Sequence, residues 1–111
     1  MITVNANRPS ELLSAVKSGI KNGEIDTWQV TERGYFTHTP ASGQWRNRAW
    51  FKPVVEDSFV RFNIIRPQGG SVGKETYAVY HGRFSEMLLA HFDTQITSIK
   101  ISSLAASGDM V

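Results

Sequence analysis

The sequence predicts an α+β two-layer sandwich: an antiparallel β-meander of about five to seven strands with two helices packed on one face. Three observations carry that expectation. Apolar residues recur at helical spacing in two stretches, 9–22 and 82–93, and alternate with polar residues at period two through most of the chain between them. Gly, Asn, Asp and Pro punctuate the alternating stretches closely enough to fold them back on one another, with no room for crossover helices. The chain has 111 residues, 41% of them hydrophobic, with Leu, Ile, Val and Phe making up about a quarter, which is enough for one core and little for two. The expected organisation is a single domain over residues 1–103, with residues 104–111 a frayed tail of small and polar side chains.

The elements follow in order. Residues 2–6 alternate Ile2, Val4 and Ala6 with Thr3 and Asn5, a short opening strand. A helix over 9–22 buries Leu12, Leu13, Val16 and Ile20; Pro9 suits its first turn, Glu11 its positive dipole end, and Asn22-Gly23 its termination. Residues 25–32 set Trp28 and Val30 against Thr27, Gln29 and Thr31, and Arg33-Gly34 turns them into a partner strand at 35–39. Residues 40–43 break that hairpin. A second hairpin pairs 45–55 with 59–66 across the Glu56-Asp57-Ser58 turn, with Pro53 at an edge or bulge. The glycine-rich stretch 67–74 reads as a hairpin loop into a strand at 76–81. In the second helix Phe84, Met87, Leu88, His91 and Phe92 share one face, which makes His91 a hydrogen-bonded core histidine; residues 96–101 form the last strand.

Composition narrows the chemistry. The absence of cysteine excludes disulfides, cysteine-ligated metals and thiol catalysis. The opening residues lack a basic segment followed by a long apolar run, so a cytoplasmic location with no membrane contact is expected. The net charge of +2 is concentrated: residues 33–66 carry Arg33, Arg46, Arg48, Lys52, Arg61 and Arg66 against Glu56 and Asp57, a net of +4, while each flank is slightly acidic.

Enzyme motifs are missing. Gly69 to Glu75 approaches a phosphate-binding loop, yet Gln68 stands where a glycine is needed and Glu75 where a magnesium-binding hydroxyl is needed. His38, His81 and His91 have no metal-ligand spacing and no carboxylate cluster beside them, so neither metal nor cofactor is expected. A histidine could still serve as general base near Arg46, Arg48 or Lys52, the basis for a small metal-independent nuclease as a third reading.

The leading functional reading comes from strand parity. Counted from residue 45, Arg46, Arg48, Trp50 and Lys52 face one side of the sheet, and Arg61 joins them from the returning strand. Such a strip on the helix-free side offers cations for phosphates and an indole for base stacking, so single-stranded RNA or DNA is the expected partner. Trp45, Trp50 and Phe51 beside arginines also suit a protein interaction or assembly module, the second reading. A shift of one residue in the strand would reverse the parity argument.

Overall fold

The structure, a computed structural model, describes residues 1–39 and 43–111. It is an α+β fold with one six-stranded antiparallel sheet and two helices. The strands are β1 (Ile2–Asn5), β2 (Trp28–Val30), β3 (Phe36–His38), β4 (Trp50–Val55), β5 (Phe59–Ile65) and β6 (Ser98–Ile101), in the spatial order β2-β3-β4-β5-β1-β6. Four consecutive strands form a meander. β1 then fits between β5 and β6, pairing Ile2 with Phe62 on one side and with Ile101 on the other.

The period-two pattern puts Val60, Phe62 and Ile64 of β5, Ile2 and Val4 of β1, and Phe51 of β4 on one fully buried face. Helix α1 (Pro9–Lys21) lays Leu12, Val16 and Ile20 into the same hydrophobic cluster. Pro9 supplies a preset φ at its start, and Gly23, at φ +87°, adopts the left-handed turn that ends it. Helix α2 (Lys74–Phe92) contributes Tyr80, Phe84, Leu88 and Phe92. Phe84 is the hub of the core: its ring centroid lies 4.9 Å from those of Trp28, Phe51 and Phe62 and 5.5 Å from Phe36. These tilted and edge-to-face contacts add to the area each ring removes from water.

The structure departs from the sequence expectations in four places. Residues 76–81, expected as a strand, are the first turns of α2, so the glycine-rich segment joins β5 to a helix and not to another strand. The run Tyr77, Tyr80, His81, Phe84 and Leu88 has helical spacing, and Gly82 is accommodated mid-helix on the exposed side. The strand expected from residue 45 begins only at Trp50. His91, expected in the core, is exposed: the buried arc of α2 runs through Tyr80, His81, Phe84, Leu88 and Phe92, and His91 lies on its margin in the last turn. Of the break expected at 40–43, residues 40–42 lie outside the described residues.

The fourth departure concerns residues 104–111. Expected to fray, they are tied to the sheet: Met110 bridges Ile65 in parallel, its N–H donates to the Ile64 carbonyl (2.8 Å), and its carbonyl accepts from the Arg66 N–H (2.7 Å). The tail thus occupies the slot beside β5 just beyond the start of β1. Gly108 makes this approach possible, since a Cβ there would stand 2.8 Å from the Asn63 amide oxygen. No helix among the described residues is long and apolar enough to cross a membrane.

Candidate functional site

The basic strip is divided by a turn. Tyr80 is fully buried, and its hydroxyl donates to the Trp45 carbonyl (2.5 Å) and accepts from the Arg48 backbone N–H (3.0 Å). A buried phenol needs such partners. By taking them from residues 45 and 48 it holds that segment in a turn, with Asn47 in the left-handed region at φ +53°. Arg46 and Arg48 therefore sit exposed on a turn and do not share a strand face with Trp50. This corrects the parity count.

The other three expected residues do share the side of the sheet opposite the core. Trp50 pairs with Ile65, Lys52 with Asn63, and Val54 with Arg61, all on the parity opposite to Phe51 and Phe62. Arg61 is already engaged: Nη1 meets Glu56 at 3.3 Å and Nε donates to the Asn63 side chain at 3.0 Å. Lys52 is exposed and half-buried Trp50 lines an open groove of about 840 Å³. Tyr35, Arg33, Glu32 and Arg66 line the same groove. Arg33, Tyr35 and Arg66 were missed because each follows or precedes a turn. The sequence signal was there in Arg33-Gly34-Tyr35 and in the central excess of positive charge.

The histidines occupy two other places. His81 is buried, stacks on Tyr77 with ring centroids 3.8 Å apart, and donates from Nδ1 to the Tyr77 carbonyl (2.7 Å). Its Nε2 therefore accepts, from the Met1 ammonium at 3.0 Å. Burial first, and then the ammonium, lower its pKa to about 4 against the raising effect of the Tyr77 carbonyl and Asp109. Asp109 anchors the same cluster, accepting from the ammonium (2.9 Å), Asn63 (2.9 Å), and the Ile64 and Ala106 N–H groups. Burial alone would raise its pKa, but the Ala106 N–H, Asn63 and the ammonium together hold it below the usual value.

His38, on β3, packs within one helical turn of His81, its ring centroid 6.0 Å from that of Tyr80. It was expected as a possible base near Arg46, Arg48 or Lys52, but Arg83 of α2 is its partner, with Nη1 donating to Nε2 at 3.2 Å. A guanidinium can only donate, so Nε2 is the unprotonated nitrogen and its lone pair is occupied. Burial and then Arg83 lower the pKa to about 4. The Nδ1–H is buried with no hydrogen-bond partner among the described residues.

Comparison with protein-family models, with curated proteins and with solved structures finds no match.

Proposed function

We propose that the protein binds single-stranded nucleic acid through the groove on the side of the sheet that carries no helix. One observation supports the reading above all: two aromatic rings, Tyr35 and Trp50, and two guanidinium groups, Arg33 and Arg66, line a single groove of about 840 Å³. Unpaired bases stack on the rings with little regard to sequence, and the guanidinium groups meet the phosphates that follow. Lys52 extends the positive charge along the face of β4, while Glu32 offsets part of it at the rim. Arg46 and Arg48 fall outside the proposed contact.

The test is fluorescence anisotropy with labelled single-stranded RNA and DNA over a range of salt. Trp50→Ala should weaken binding by about 1–3 kcal/mol with the salt slope almost intact, because it removes stacking and no charge. Arg33→Ala with Arg66→Ala should lower the slope of log affinity against log salt by about 1.4 units. Arg46→Ala with Arg48→Ala should have the smallest effect. Absence of binding by the parent at low salt, where the electrostatic attraction is greatest, sinks the proposal.

A protein-interaction module is the second reading; Phe51, expected on such a surface with Trp45 and Trp50, is fully buried in the core, and it is apolar exposure elsewhere that favours the reading. Leu104 is 79% exposed and, with Val72, Tyr77 and Val111, lines an apolar groove of about 670 Å³ between the tail and the start of α2. Binding through that surface would not weaken steeply with salt, which separates the two readings.

A further inference from the structure

A crevice of about 290 Å³ runs along α2 beneath the β2–β3 edge of the sheet, on the helix-covered side and apart from the groove just described. Its wall on α2 is a stripe at helical spacing: Arg83, Glu86, Met87, Ala90 and His91. Trp28 and His38 face them from the strands.

Three features set this crevice apart from an ordinary surface cleft. Arg83 is held through Nη1 by a neutral, buried imidazole, which orients the guanidinium without neutralising it. Among the described residues no acidic side chain forms a salt bridge with Arg83, although Glu86 is three residues along the same helix. His38 itself keeps a buried, unpartnered Nδ1–H, a cost a fold rarely carries without a use for the position. The crevice therefore presents a positive and a negative group as helix-surface neighbours that, among the described residues, form no salt bridge with each other, with Trp28, Met87 and Ala90 as apolar wall.

From this juxtaposition we propose that the crevice binds a small zwitterion of the α-amino acid type. The carboxylate lies on the Arg83 fork, the ammonium meets Glu86, and the side chain covers Met87 and Ala90. With Nη1 committed to His38, Arg83 keeps Nε and Nη2 as a pair of parallel donors, which suits a carboxylate gripped through two bonds. A phosphate dianion fits less well, since Glu86 repels the charge that Arg83 attracts. Both heads of the ligand are needed, so neither a simple anion nor a simple amine satisfies the site.

The test is a two-dimensional NMR titration of the full chain with L-leucine, with acetate and methylammonium as one-headed controls. L-leucine should give saturable shifts at the Trp28 indole N–H, the His38 ring and the Arg83 side chain, and each control should bind at least about tenfold more weakly. Arg83→Gln and Glu86→Gln should each weaken L-leucine by about tenfold or more. Because Arg83→Gln also removes His38's partner, Glu86→Gln, at an exposed position, is the variant that decides if the first fails to fold. The absence of any saturable shift overturns the proposal. So does acetate binding as well as L-leucine while Glu86→Gln changes nothing, which would leave only a surface arginine attracting anions.

Discussion

The two buried histidines make an instructive pair, one in a saturated environment and one in an incomplete environment. At His81 both ring nitrogens are used, by the Tyr77 carbonyl and the Met1 ammonium, within a network that also satisfies Asp109 and Tyr77. At His38 one nitrogen holds Arg83 and the other holds nothing. Both rings are nearly inaccessible to solvent, so burial does not distinguish them. Hydrogen-bond accounting does: the first ring closes a structural network, and the second supports a charged group that remains available to something outside the fold.

The largest effect that tests this pair is the response to acid. Both rings are held at about 4, against 6.5 for an exposed histidine. The unfolded chain therefore takes up protons that the fold refuses between those values, and stability that is full above pH 6.5 is lost as the pH falls toward 4. Each unit of depression is worth about 1.4 kcal/mol, so urea unfolding should show a loss on the order of 3 kcal/mol or more across that window. Asp109, held below its usual value, adds its own loss only at lower pH. A profile flat from pH 7 to pH 4.5 would mean that the rings are not neutral inside the fold.

Substitution separates the two sites more sharply. His81→Phe strands the Tyr77 carbonyl and deprives the ammonium of an acceptor, and should cost about 1–3 kcal/mol. His38→Phe removes an unpartnered N–H together with the anchor of Arg83, and should change stability by less than about 1 kcal/mol. Equal costs in urea unfolding would mean that the two rings carry the same structural role. The smallest effect belongs to exposed His91, where His91→Gln should stay within about 0.5 kcal/mol in thermal unfolding. A loss of several times that size would return His91 to the core.

Much of the fold was legible because its signals are local. Helix α1 has Pro9 at one end, Gly23 at the other and an unbroken apolar stripe between, and it forms where expected. β5 alternates cleanly through Val60, Phe62 and Ile64. The first turns of α2 carry a strand signal, since Thr76, Tyr77, Val79 and Tyr80 have strand propensity and Gly82 resembles a break; packing of Tyr80 and Phe84 against the sheet outweighs both. At the candidate site, Trp50, Lys52 and Arg61 share a face because the β4–β5 register is set by adjacent sequence. The displacement of Arg46 and Arg48 depends on Tyr80, more than thirty residues away in the chain, and no local pattern reports it. Asn47 was the one local hint, as a residue that tolerates the left-handed region.

The placement of β1 between β5 and β6 has a consequence for the order in which the protein assembles. Its partners are β5, reached at Phe59–Phe62, and β6, reached at Ser98–Ile101, so β1 is synthesised before both and waits for them. The β4–β5 hairpin closes through a short turn and needs no distant segment, and it forms on the faster timescale of local contacts. During synthesis, if β1 has not yet returned, β5 presents the edge from Phe59 to Phe62 with apolar Val60 and Phe62 uncovered. That edge is then open to pairing with a second copy, and its lifetime is set by how quickly β1 finds it.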